Sequence, residues 1–241
     1  MWKGKTAIVT GASGGIGSVL CRALSERGLN LVLAGRSREK LEKVRESLPP
    51  ESAGRTVICP GDIRQLSYAE ELLEKADAQF GGLDLLINCA GLAHRCPAQE
   101  MTPQLFDQIM ETNVKAPYFL CQKALPYLRR SECATIINIC SVVAHKGYPL
   151  QSVYAASKHA LLGWSKSLAN EVYGENIRVH VISPGAVFTD MIAVARPDLS
   201  PEGMILPEDI AAVVGFYLDR RSSCGVVDEI ELHRSNKEPF A

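Results

Sequence analysis

Seven short runs of β-branched and other apolar residues recur along the chain, and helix-like segments separate them. The runs are TAIVTG (6–11), NLVLAG (30–35), RTVICPG (55–61), LDLLINCAG (83–91), ATIINICS (134–141), IRVHVISPG (177–185) and VVDEIEL (226–232). Most are apolar on both faces, as strands covered by helices on either side must be. Helices are expected at about 16–28, 37–48, 67–80, 103–129, 152–174 and 207–219. The second carries Leu41, Val44 and Leu48 at helical spacing on an otherwise charged segment. Strict alternation of strand and helix predicts an α/β fold, a doubly wound parallel seven-stranded sheet with helices on both faces. No internal repeat and no Gly-, Pro- or Ser-rich linker divides the chain, so residues 1–241 are expected to form one domain. The segment FTDMIAVARPDLSPEGMILP (188–207) is a long insertion before the last helix, and such insertions more often bind or cover a ligand than fill space.

Composition narrows the function classes. The chain is 46% apolar and 22% charged with a net charge of −1. That excludes disorder as a default and offers no basic patch for nucleic acid. No apolar run approaches the length that spans a bilayer. The start, MWKGKTAIVTGAS, runs from a few apolar residues straight into a glycine loop and does not read as a signal peptide. The eight cysteines contain no C-x-x-C pair and read as reduced thiols of a cytoplasmic protein. The five histidines show no ligand spacing, so no metal site is expected.

The first run leads into TGASGGIG (10–17), which opens the first helix. Glycines there permit a tight turn and close approach of backbone to a pyrophosphate resting on the helix N-terminus. The trio Gly11, Gly15 and Gly17 has G-x-x-x-G-x-G spacing. In this strand–loop–helix context it predicts a Rossmann-like dinucleotide site. The second run ends LAGRSREK. Gly35 stands where an acid would accept the ribose hydroxyl of NAD, and Arg36 follows, which favours the 2′-phosphate of NADP(H).

Two further features carry chemistry. YAASK places Tyr154 and Lys158 four apart, on one helix face. An ammonium beside a phenol favours the phenolate and makes Tyr154 a usable proton donor or acceptor. Ser141, at the end of the fifth run, is positioned to bond the same substrate oxygen. In the 103–129 segment, NVKAP puts Pro117 four residues after Asn113. Proline has no N–H to give the Asn113 carbonyl, so a kink with that carbonyl free is expected.

With these features in place, the chain resembles the short-chain dehydrogenase/reductase family over about residues 3–232. TGASGGIG, Asp62 in GDI, NCAG (88–91), Asn113, Ser141, Tyr154, Lys158 and PGAVFT (184–189) all stand at family positions. The resemblance implies a catalytic set of Asn113, Ser141, Tyr154 and Lys158. It implies a cofactor-binding set of Gly11, Ser13, Gly15, Ile16 and Gly17, with Arg36, Asp62 and Ile63 toward the adenine end. Asn88, Ala90, Gly91, Tyr154, Lys158, Pro184, Gly185, Val187 and Thr189 complete it, the last two toward the nicotinamide. In the family a water held by the helix-kink asparagine joins a proton relay through the lysine. Two departures stand out. Cys89 replaces a second asparagine, and the usual glycine-rich ending gives way to LHRSNKEPFA.

The expected protein is thus an NADP(H)-dependent carbonyl reductase or alcohol dehydrogenase acting on a small-molecule carbonyl or alcohol. His94, Val143, His145, Tyr148 and Met191 either shape its pocket or merely pack. A homodimer or homotetramer is expected through the two long helices. The alternative is a 3-oxoacyl-[acyl-carrier-protein] reductase. Family members of that kind carry arginines beside the active-site mouth; counting without gaps puts Glu132 and Glu175 there, with Arg129 and Arg130 nearby. A sugar-nucleotide epimerase shares Y-x-x-x-K but needs a larger C-terminal region. A turnover-free nucleotide sensor would be expected to lack part of the catalytic set.

Overall fold

The computed structural model describes residues 1–195 and 199–237. Its strands are β1 (Thr6–Thr10), β2 (Asn30–Gly35), β3 (Thr56–Pro60), β4 (Leu85–Asn88), β5 (Thr135–Ile139), β6 (Arg178–Pro184) and β7 (Glu229–Leu232). The helices are α1 (Gly15–Glu26), α2 (Arg38–Ser47), α3 (Leu66–Phe80), α4 (Pro103–Met110), α5 (Ala116–Leu128), α6 (Ser152–Val172), α7 (Asp190–Ala195) and α8 (Pro207–Asp219). The strands form one sheet in the order β3-β2-β1-β4-β5-β6-β7, and every pairing is parallel.

Side-chain alternation along the strands splits the core into two layers. Ala7, Val9, Leu31, Leu33, Leu85 and Ile87 face α1, α2 and α8 through Leu20, Leu24, Leu41 and Val214. Ile8, Val32, Ala34 and Leu86 face the other way, onto Leu72, Leu73, Leu120 and Leu128 of α3 and α5. Period-two alternation with both faces apolar is why the runs read as continuous hydrophobic stretches. Chain order reverses between β1 and β4, opening a crevice at the carboxyl ends of the strands.

Three expectations are refined. The 103–129 segment is two α-helices joined by a π turn over Glu111–Lys115. The Ala116 N–H donates to the Glu111 carbonyl, five residues back. Pro117 therefore sits in the first turn of α5, where its missing N–H costs least. The strain that a helix-interior proline would cause is absorbed by the wider turn. Second, the strand expected at 83–91 leaves the sheet after Asn88, which frees Cys89–Gly91 to form a wall of the crevice. Third, the 188–207 insertion contains α7 and is tied at its base, where Phe188 N–H donates to Ile205 O (2.8 Å) and Ile205 N–H to Ala186 O (3.1 Å). Residues 196–198 of that insertion, and 238–241 of the C-terminal LHRSNKEPFA, lie outside the described residues.

His180 on β6 is buried, stacked on Tyr217 of α8 at 4.2 Å, with Nδ1 bonded to Val227 O (2.8 Å). Burial pushes its pKa down from 6.5 to about 4. The unfolded chain therefore takes up this proton first as pH falls, and stability present above the ordinary value drains away between them, by about 3 kcal/mol. Ion-paired carboxylates lose their contribution only below about pH 4, so the two effects separate. We expect thermal stability to fall between about pH 7 and pH 4, with a shallower slope in His180→Phe, which keeps the stack and lacks the titration. Equal slopes in melting temperature against pH would contradict this.

Candidate active site

The glycine loop is closed by contacts that admit no side chain. Gly11 has φ +67°, and a Cβ there would stand 2.8 Å from Ala90 Cα. A Cβ on Gly17 would meet Gly11 O at 2.1 Å, and one on Gly15 would meet Thr189 Cγ2 at 2.6 Å. The ends of β1, β4 and β6 are thereby drawn to one place. Thr10, which sequence reasoning passed over, ties two of them. Its Oγ1 accepts from Cys89 N–H (3.0 Å) and Ala90 N–H (3.1 Å). Gly14 precedes α1 without a side-chain cap, and the first turn holds no acid. Open amides at a positive helix end, under a backbone stripped of side chains, fit a pyrophosphate. Ile16 packs against the core beside it, and Ser13 Oγ lies 3.3 Å from where a Gly35 Cβ would be.

At the end of β2, Arg36 is exposed and close enough to Asp62 to help hold that carboxyl below its usual range. Arg64 is the larger cause: its Nη2 lies 2.6 Å from Asp62 Oδ2, and its backbone N–H donates to Oδ1. Ile63 is partly buried against the α3 layer. The turn after β3 is therefore braced by a local ion pair.

The π turn delivers Asn113 into the interior, where it is fully buried. Its side chain clamps three segments. Oδ1 accepts from Leu92 N–H and Nδ2 donates to Leu92 O, both at 2.8 Å. Nδ2 also donates to Ser157 Oγ (3.0 Å), which donates in turn to the Tyr154 carbonyl (2.7 Å). Lys158 is buried, and Nζ donates to Ile139 O at the end of β5 (3.0 Å). Nζ lies 5.9 Å from the Tyr154 ring centre. A Cβ on Gly91 would stand 3.6 Å from Asn113 Oδ1 and 3.9 Å from Lys158 Nζ, so both side chains converge on that glycine. Ser141 Oγ is aimed by the Val143 N–H it accepts (3.3 Å), which caps a 3₁₀ turn. Beneath, Asn88 Nδ2 donates to Asn138 Oδ1 and Asn138 Nδ2 to Ser165 Oγ, both at 2.8 Å. Burial pushes the Cys89 thiol up to about 12, opposed by Lys158, so this position is neutral.

Comparison with known proteins accords with this geometry. The sequence profile of the short chain dehydrogenases matches residues 5–200. The chain belongs to the short-chain dehydrogenase family. It is 34% identical over 228 residues to a 3-oxoacyl-[acyl-carrier-protein] reductase of Rickettsia bellii, covering 91% of each chain. Among solved structures it resembles a 3-ketoacyl-(acyl-carrier-protein) reductase of Brucella melitensis complexed with NADH, with TM-score 0.88 and 26% identity over 96% of this chain and 97% of that one. It likewise resembles an alcohol dehydrogenase of the archaeon Thermococcus sibiricus complexed with 5-hydroxy-NADP, with TM-score 0.88 and 27% identity over 98% and 99%. The protein is an oxidoreductase of this family, and its neighbours bind nicotinamide cofactors.

In this short-chain dehydrogenase, Ser141 and Tyr154 open onto one cavity of about 670 Å³. Four of the five pocket residues expected from sequence, Val143, His145, Tyr148 and Met191, line it; His94 does not. Gly185 lines it too, next to Pro184, which is buried at the end of β6, and Val187 is buried beside it. Sequence reasoning missed Lys146, Glu231, His233, Arg234 and Lys237, which also line the wall. One expectation needs correction. Glu132 and Glu175 lie before β5 and β6 begin, at the sheet edge opposite Ser141, not beside the cavity mouth. Arg129 forks onto Glu175 (2.7 and 3.0 Å) and Arg130 onto Asp77 (2.6 Å), so nearby cations are already matched. Among the described residues no helix is long and apolar enough to cross a membrane, and no cluster of ligating side chains is placed to hold a metal.

Asn113→Ala would strand both polar groups of the Leu92 backbone, at about 1–3 kcal/mol for each buried group left unpaired. The variant should unfold at markedly lower denaturant and lose activity with it. A wild-type midpoint would show that the Asn113 clamp contributes little to stability.

Proposed function

We propose that this short-chain dehydrogenase is an NADP(H)-dependent carbonyl reductase or alcohol dehydrogenase acting on a free small carbonyl or alcohol. One observation carries the reading: Ser141 and Tyr154 face a single cavity at the carboxyl edge of the sheet, with the buried Lys158 ammonium behind the tyrosine. A bound nicotinamide supplies or accepts the hydride. The chain's own residues handle the oxygen. Ser141 donates a hydrogen bond to it, and Tyr154 gives its phenolic proton to the alkoxide as charge develops. Lys158 favours the negative phenolic oxygen that results. Asn113 fixes the Leu92 backbone and the first turn of α6, and its position beside Lys158 suits the proposed relay to solvent.

The cofactor-binding set is the one expected from sequence, from Gly11, Ser13, Gly15, Ile16 and Gly17 through Arg36 to Val187 and Thr189, in one domain with the 188–207 segment over the substrate. We also propose a homodimer or homotetramer; Phe106, Tyr118 and Tyr173, exposed on or beside the long helices, support it. A second reading, reduction of a 3-oxoacyl group on an acidic carrier protein, is favoured by the names of the Rickettsia and Brucella relatives. Much faster turnover of a carrier conjugate than of the same acyl group on a small thiol would select that second reading.

Tyr154→Phe should abolish NADPH-dependent ketone reduction, a loss of at least about a hundredfold, while NADPH still binds. Near-normal turnover in that variant would end this mechanism. Arg36→Gln should raise KM for NADPH by about ten- to a hundredfold, the worth of one charged hydrogen bond, and leave KM for NADH nearly unchanged. A wild type that used NADH better than NADPH would overturn the cofactor assignment.

A further inference from the structure

The cavity that holds Ser141 and Tyr154 has an unusual wall. Val143, Met191 and Ile192 make one side apolar. The same lining carries Lys146, from the turn after β5, and Arg234 and Lys237, from the segment after β7. Lys146 and Arg234 are partly buried. Among the described residues, neither has a carboxylate within ion-pair distance. Glu231, the one acid lining the wall, lies 4.0 Å from His145 instead. His145 is held by Glu229 at 2.7 Å, so it too is committed.

A partly buried arginine with no carboxylate beside it keeps its charge available to a ligand anion. Its placement is fixed by the fold. Gly185 N–H donates to Leu232 O (2.8 Å), which joins the ends of β6 and β7. The Arg234 stem then lies over Gly185, its Cγ 3.9 Å from where a Cβ would be. The cofactor's phosphates do not account for these charges. The glycine loop and Arg36, which suit those phosphates, are at another part of the crevice and do not line this cavity.

We propose that the substrate is an oxo compound, or the corresponding hydroxy compound, that carries an anionic group, a carboxylate or a phosphate, received by Arg234 and Lys146. This deepens the oxidoreductase reading above and rests on it. The reacting carbonyl is bonded by Ser141 and Tyr154, an apolar portion lies along Val143 and Met191, and the anion meets the planar fork of Arg234, which matches either oxyanion geometry. Lys146 adds a point charge from the turn after β5.

The test uses the full chain with NADPH. Pyruvate, acetoacetate, levulinate and benzoylformate are each compared with the matching carboxamide, and dihydroxyacetone phosphate with dihydroxyacetone. We expect at least one anionic member to exceed its neutral partner by tenfold or more in kcat/KM, about the effect of one charge-assisted bond. The carboxylate and phosphate arms tell which source the site takes. Arg234→Gln should collapse that ratio through KM for the anion, and Arg234→Lys should restore part of it. Anionic and neutral partners of equal efficiency throughout, or an Arg234→Gln loss that is the same for both, would overturn the proposal. If no carbonyl compound consumes NADPH, the NADP(H)-dependent carbonyl-reductase reading fails, and binding decides the anion site by itself. Millimolar benzoylformate or dihydroxyacetone phosphate should then raise the melting temperature of the wild type but not of Arg234→Gln. No such shift would overturn the proposal.

Discussion

Every strand of this sheet runs the same way, and the site depends on that one constraint. Parallel strands need a helical crossover between each pair, so the loops that follow the strands all emerge at one edge. The glycine loop follows β1, Arg36 follows β2, Asp62 follows β3, Cys89–Gly91 follow β4, Ser141 follows β5 and Gly185–Thr189 follow β6. Residues up to 178 positions apart in sequence, from Gly11 to Thr189, are thus neighbours by topology. The glycines then set how close these loops come. With side chains at Gly11, Gly15 or Gly17 the three walls could not meet.

The second requirement is rigidity on the α6 side, and buried polar groups supply it. Asn113 bonds the wall after β4 and, through Ser157, the backbone of Tyr154 itself. Asn88, Asn138 and Ser165 form a parallel row of side-chain bonds across β4, β5 and α6. Such groups are costly unless satisfied, and once satisfied they allow few alternatives. The π turn belongs to this same logic. A regular helix across Glu111–Lys115 would rotate Asn113 away from Leu92, and Pro117 opposes restoration of the regular bonding pattern.

Much of this was legible in the chain. Alternation of apolar runs and amphipathic segments gave all seven strands in place, because two-sided burial leaves a strong local signature. Tyr154, Lys158, Ser141 and Asn113 stood out only through the family resemblance, since Y-x-x-x-K alone is a common spacing; the fold brings Ser141 and Tyr154 to one cavity and Asn113 and Lys158 to Gly91. Three kinds of feature were not. The π turn read as a kinked single helix, since a proline shows that a bond is missing but not how the backbone compensates. The helix Asp190–Ala195 read as loop, being too short to show a period. Thr10, Ser157 and Asn138 carried no signal at all, since a hydroxyl or amide on an apolar element looks the same in sequence whether it faces a partner or packs. The acidic positions Glu132 and Glu175 failed for a different reason. Counting along the chain carries no information on which edge of the sheet they reach, and topology puts them at the edge opposite Ser141.

The C-terminal segment shows the limit most clearly. By composition LHRSNKEPFA is an ordinary polar ending in place of the family's glycine-rich one. What changes its meaning is β7. Pairing of Glu229–Leu232 with Val181–Pro184 fixes where the chain leaves the sheet. Because β7 is parallel to β6, it leaves at the edge where Ser141 and Tyr154 lie. The next residues must then pass the mouth of the cavity, and Arg234 enters its wall. An antiparallel last strand would have released the same residues at the other edge, far from Ser141. The functional content of those cations thus comes from strand direction, a property of the whole sheet.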